Sequence, residues 1–477
     1  MSVELNKTLF NSRLKLIKDA WNNASDSEEY GSIADVGAFL VMAGDPAGED
    51  DPIRKGTAFQ QIKGGDNPIA IEIIPQAGAK EPSNDAIPRF VQAYISHSRV
   101  GSLLKETHTG KLVKEWEALL AAANSRPELV EISPAMSSFM AVKDDEELKI
   151  VRTAANLTST LLANYIATKL ETILDKEAKI SHEDFSAQIE ARLGSGEGDD
   201  AKGPDMKVWN KNPKLKDVDW GSTELCYSPI IQSKSTASGY DLKSTAESSP
   251  DMIAHSGVFL ISTGIRYKGY CANMGRTIIV APTKEQEEIY TLLLGLQADL
   301  ITNIKDGAQI RAIYQHALSY IKDKKPTLEK HFVKNVGFGM GLEFRDSAYL
   351  LSSKNNRQLK AHMILNLSLG FADLVDDAGK KVGAENATIL TEGVKSVKDT
   401  LFFEANDEEE LKSSKPKKPP VKPLTNGHSA SPVKNKTVAG KVLRTKTRSA
   451  AQEEVLMTTA AKIREHQIEL HAALQAD

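Results

Sequence analysis

The sequence predicts a mixed α/β (α+β) fold made of a small lobe, a larger lobe and a charged linker. Three observations predict it. Apolar residues recur at helical spacing in well-separated stretches, short apolar runs of strand length lie between them, and the composition changes sharply after residue 403. Of the 477 residues, 40% are hydrophobic and 26% charged, which is globular composition with material for a sizeable core. The only cysteines, Cys226 and Cys271, exclude a disulfide-framed secreted fold and point to a reducing compartment. No apolar run approaches the roughly 18–20 residues that cross a bilayer, so no membrane role is expected.

Residues 5–22 carry Leu9, Phe10, Leu14, Ile17 and Trp21 near a 3.6 period and predict a helix. Strands are expected at 37–44 and 69–75, and a helix containing Trp116 at 112–123. Together they form a small α/β lobe over residues 1–140. A long helix follows at 144–176, striped by Leu148, Val151, Leu157, Leu161, Ile166, Leu170 and Ile173. The Gly- and Asp-rich run 194–205 reads as a surface loop. Strands are then expected at 225–232, 257–262 and 267–280, paired helices at 283–304 and 308–322, and strands at 363–371 and 387–391. These belong to one domain over residues 141–403.

Charge separates the rest. An acidic knot at 407–410 precedes a stretch from Lys412 to Arg448 that holds eleven Lys/Arg, five prolines and no Asp/Glu. Removing those eleven cations from a formal net charge of −4 leaves −15 on the other residues. With few large apolar side chains, residues 404–448 read as a disordered linker. It is a solvated spacer, a nuclear-import signal or a weak, salt-sensitive DNA contact. Residues 449–477 are again helical in pattern.

The run FLISTGIRYKGYCANMGRT (259–277) resembles a signature of the pita-bread metallopeptidases, the group of methionine aminopeptidase, aminopeptidase P, prolidase and creatinase. Gly264, Tyr267, Tyr270, Arg276 and Thr277 match its frame. In that family two aspartates of this hairpin bridge a metal pair, whose four positive charges need carboxylates nearby. Here those positions are Ser262 and Asn273. By the same resemblance a ligand histidine is replaced by Phe338, whose ring is expected to fill the metal's space. A second histidine is replaced by Arg345, and a glutamate by Ser368. The last ligand falls on Glu385 or Asn386. The resemblance therefore implies a pita-bread, aminopeptidase-like domain behind a small creatinase-type lobe, with these five positions marking a vestigial cleft. It implies no catalytic residue, no metal and no cofactor.

LCYSPIIQS (225–233), YDL (240–242), KNVGFGMGLEFRDS (334–347) and KVLRTKTRS (441–449) narrow the match. They resemble the family of large subunits of the FACT complex, nuclear histone chaperones. That resemblance implies a non-catalytic chromatin factor of the nucleus and chromosome, which reorganises nucleosomes in transcription, replication and DNA repair. Its partners would be core histones and a smaller HMG-type subunit, the latter held through regions mostly absent here. A Trp- and Leu-rich segment that the family carries after residue 60 is missing, so the small lobe is expected to be incomplete. Residues 449–477 are expected to begin a dimerisation domain. The alternative is a metal-dependent aminopeptidase or prolidase-like hydrolase with unusual ligands.

Overall fold

A computed structural model describes residues 7–27, 29–40, 45–46, 94–104, 108–109, 111–123, 125–194, 203–233, 240, 246–374 and 387–396. The expected strand at 69–75, most of the loop at 194–205, Glu385, Asn386, the linker and the helix at 449–477 lie outside the described residues. Chain contacts divide the protein into Met1–Ala405 and Asn406–Asp477.

The small lobe begins with α1 (Lys7–Asn22), as its apolar period requires. Strands β1 (Ala38–Leu40), β3 (Arg99–Ser102) and β5 (Glu128–Glu131) form a parallel sheet in the order β1-β3-β5. A two-residue pair, β2 (Asp45–Pro46) and β4 (His108–Thr109), lies beside α2 (Lys111–Ala122) in the chain. The strands β3 and β5 were not anticipated, because four residues are too few to show a period. Helix α3 (Ser133–Ala141) closes the lobe and buries Ala135, Met136 and Phe139 with Ile33 and Ile132.

The large lobe opens with α4 (Asp145–Leu161), whose N-cap Asp144 accepts from the Glu146 and Glu147 amides while Glu147 caps the Asp144 amide in return. The helix expected over 144–176 is interrupted by a π-turn at Leu162–Ala167 before α5 (Thr168–Asp175). The widened turn carries Tyr165 against the Arg192 guanidinium, 4.9 Å from the ring centre. Helix α6 (His182–Glu190) and the short α7 (Met206–Trp209) pack on the same side.

Strands β6 (Thr223–Leu225), β7 (Ile230–Ser233), β8 (Gly257–Tyr267), β9 (Tyr270–Val280), β10 (Gly337–Gly339), β11 (Ile364–Leu374) and β12 (Ala387–Ser396) make one sheet. Its order is β10-β11-β12-β9-β8-β6, with β7 also on β8. The β8–β9 hairpin turns through Lys268 and Gly269, at φ of 48° and 84°, the paired positive values of a type I′ turn. The strand expected at 225–232 is two strands, because Pro229 cannot donate to the ladder and the chain leaves β8 before it. Helices α8 (Lys284–Asn303) and α9 (Ile310–Lys324) cover the β11 side with a second core of Leu293, Leu296, Leu300, Ile313 and Ile321. Both cysteines are buried and free.

Two polar networks hold the lobes together. Arg13 of α1 reaches Asp144 at 2.8 Å and Glu147 at 3.2 Å, and Glu147 accepts the Tyr270 hydroxyl at 2.5 Å. On the other side Glu29 takes both oxygens to Lys360 (2.7 and 3.0 Å) and accepts from Tyr349, while Arg357 donates to Ser138 at 2.6 Å. Burial pushes the Glu29 carboxyl up, but hydrogen bonds from Lys360, Ser138 and Tyr349 together with the Lys360 charge outweigh this, so the group sits below the ordinary 4.5. Its contribution is therefore full above pH 4.5 and fades as pH falls through the lowered value. Glu29→Gln should cost about 1 kcal/mol at neutral pH, with the gap to wild type closing in acid. Urea unfolding at the two pH values checks this.

Candidate functional site

The hairpin β8–β9 brings the two positions singled out in the sequence onto one face. Gly264 pairs with Asn273 and Ser262 with Gly275, so Ser262, Gly264 and Asn273 share an alternation of the pleat. Where β6 ends and β7 has yet to begin, Tyr227 crosses this face over Gly264. A β-carbon at 264 would lie 3.2 Å from the Tyr227 ring and 2.9 Å from the Ala272 carbonyl oxygen. The Tyr227 hydroxyl lies 2.7 Å from Ser262 Oγ and donates to Asn273 Oδ1. One phenol oxygen therefore stands between the two side chains.

Strand β10 supplies the next wall. Gly337, at φ 147°, would put a β-carbon 2.1 Å from the Asn366 carbonyl oxygen, so only glycine fits there. Phe338 follows, 5% exposed and paired with Asn366 of β11. Its ring packs on Phe344 at 6.0 Å beneath the Arg345 guanidinium at 4.8 Å. Phe344 in turn meets the Tyr227 ring edge-on at 5.4 Å. Asn366 is fully buried. Its Nδ2 donates to the Asn273 carbonyl at 3.4 Å, and its Oδ1 has no hydrogen-bond partner among the described residues. Ser368, two residues along the same strand, is paired in the backbone with Glu392 of β12.

Behind the loop sits Lys143. Its ammonium donates to the Met140 and Ala141 carbonyls at 2.7 and 2.9 Å, at the C-terminal end of α3. A β-carbon at Gly341 would fall 2.7 Å from Lys143 Cε, so this side chain backs the 337–344 loop directly. Burial lowers its pKa against the opposing pull of Glu147, Asp346 and Glu343. Burial likewise raises the Asp346 carboxyl.

The structure thus joins Ser262 and Asn273 through Tyr227, and sets Phe338 and Arg345 in contact with each other. Tyr227, Phe344, Asn366 and Lys143 were missed by sequence reasoning. A usable signal existed for Tyr227, since an aromatic beside a strand glycine is a common way to fill the missing side chain.

The chain matches the model of "Metallopeptidase family M24" over residues 149–392, more than half its length. The chain belongs to that family. Residues 58–135 match the "FACT complex subunit SPT16 N-terminal lobe domain". A "FACT complex subunit SPT16" of Mycosarcoma maydis is 35% identical over 446 residues, covering 89% of this chain and 40% of that protein. The chain thus spans well under half the length of that relative. The solved N-terminal domain of FACT complex subunit SPT16 from Eremothecium gossypii is 28% identical with a TM-score of 0.68, covering 84% of this chain and 97% of that one. A prolidase from Thermococcus sibiricus, 15% identical with a TM-score of 0.50 over 86% of this chain and 99% of its own, shares the fold.

The divalent metals that a metallopeptidase family implies do not suit the donors at this face. Ser262, Asn273 and Tyr227 offer a hydroxyl, an amide and a phenol already bonded to one another, and none is a carboxylate that could offset two dications. Among the described residues no three His, Cys, Asp or Glu side chains gather as a metal group. Tyr227→Phe should cost about 1–3 kcal/mol, because it removes the hydroxyl that donates to the buried Asn273 Oδ1. Adding Asn273→Leu should recover part of that loss, and a double-mutant cycle by urea unfolding measures the coupling.

Proposed function

We propose that the chain is a non-catalytic chromatin module of the FACT type. In this reading residues 141–403 are a peptidase fold whose metal-ligand positions have become Ser262, Asn273, Phe338, Arg345 and Ser368. The observation that carries it is the Tyr227 hydroxyl seated between Ser262 and Asn273. In this reading the face that in a metallopeptidase would activate water on two cations holds Ser262 and Asn273 around the Tyr227 hydroxyl instead, with none of the three a carboxylate. A fold keeps its binding surfaces when its chemistry is gone.

The likeness to SPT16 subunits supports the rest of the proposal. The domain binds histones or their peptides, within a complex that reorganises nucleosomes during transcription, replication and DNA repair. A smaller HMG-type subunit joins it through segments beyond those matched here, and the protein works in the nucleus, on chromosomes. The −15 carried outside the basic linker favours basic histone segments and speeds their encounter at low salt. Residues 404–448 serve as linker, and 449–477 begin a dimerisation element.

Titrating the full chain with core histones by calorimetry tests this. Saturable binding at low ionic strength that weakens several-fold near physiological salt is expected. No heat of binding at low salt would overturn it.

A further inference from the structure

Residues 203–222 form an excursion on the large lobe that is anchored by buried side chains. Val208, Trp209 and Leu215 are buried in its main core. Asn212 Nδ2 donates to the buried Thr160 hydroxyl at 2.8 Å, and Trp209 Nε1 donates to the Arg192 carbonyl at 2.9 Å. Two of the segment's three acids help to hold it, and the third, Asp217, is exposed beside Lys216. Asp205 pairs with Arg192 at 2.8 Å and caps the Lys207 amide, and Asp219 accepts from Gly221 N–H and the Ser222 hydroxyl. From this scaffold Lys207, Lys211, Lys214 and Lys216 all project into solvent. Some other lysines of the described surface meet carboxylates, as Lys149 meets Glu146, Lys322 meets Glu329 and Lys360 meets Glu29. Among the described residues no carboxylate pairs with any of these four.

We propose that Lys207, Lys211, Lys214 and Lys216 form a surface that binds the phosphate backbone of nucleic acid. Residues 207–216 hold four cations and no carboxylate, in a chain that is otherwise acidic outside its linker. The ordering cost of the backbone is already met by the buried side chains beneath, so binding has only lysine tips to immobilise. Lysines act as point charges and accept phosphates in many geometries, which suits backbone contact without sequence readout. The patch carries no arginine fork of the kind that favours bidentate pairing with carboxylates. Half-buried Trp220, with its ring 5.3 Å from Trp209, places an aromatic side chain beside the segment.

Fluorescence anisotropy of a labelled random-sequence DNA duplex, with the full chain over a salt series, tests the surface. The basic linker adds its own phosphate contacts, so the salt slope is the readout. Lys207→Gln/Lys211→Gln/Lys214→Gln/Lys216→Gln should flatten the slope of log K against log salt by about 2–4, at roughly 0.9 per contact. The corresponding four Lys→Arg changes should keep it. All four side chains are exposed, so the circular dichroism spectrum should not move. An unchanged slope and affinity in the Gln variant would overturn the proposal. Loss of polyglutamate binding with intact duplex binding would also overturn it, by assigning the patch to an acidic protein.

Discussion

The contact that the hairpin face depends on is the Tyr227 hydroxyl. It links β8 to β9 at Ser262 and Asn273 and fixes the chain between β6 and β7. The geometry works because Gly264 has no side chain, which lets the ring lie flat enough to reach across. Phe344 then closes on the ring edge, Phe338 on Phe344, and Arg345 over Phe338, so the aromatic packing extends from one phenol to the β10 edge. A centre built on metals needs negative charge held close together, and self-repulsion destabilises it when empty. Neutral donors bonded to one another carry no such strain.

The same preference for satisfied polar contacts governs how the lobes meet. Arg13, Asp144, Glu147 and Tyr270 tie the first helix to the N-terminus of α4 and to the hairpin. Lys143, one residue before that N-cap, closes the end of α3 and backs the 337–344 loop. The junction that ties the small lobe therefore adjoins the loop that follows Phe338.

Long periodic elements were legible from sequence, and so was the hairpin that carries Ser262 and Asn273. Helices α1, α4, α8 and α9 announce themselves by apolar stripes, with Asp144 and Thr283 marking their starts as capping residues. The breaks were not legible. The π-turn at Leu162–Ala167 leaves the apolar stripe nearly in phase, and the gap between β6 and β7 depends on Pro229 and on the partner strand, not on local pattern. The residues to examine were readable from the sequence, because whether a side chain can ligate a cation is a property of residue type. The sequence offered the Phe338 ring as the group filling that space, whereas the hydroxyl between Ser262 and Asn273 is that of Tyr227, reaching them from the connection between β6 and β7. Asn366 and Lys143 escaped for the same reason: their roles come from burial, which composition does not reveal.

Metal binding by the intact chain tests the central claim most directly. Calorimetric titration with manganese or zinc, with metal content assayed on the dialysed protein, should show no dication held at the Tyr227 face and no difference between wild type and Asn273→Ala. Two near-stoichiometric dications, lost in Asn273→Ala, would contradict the account and return the fold to its hydrolytic chemistry.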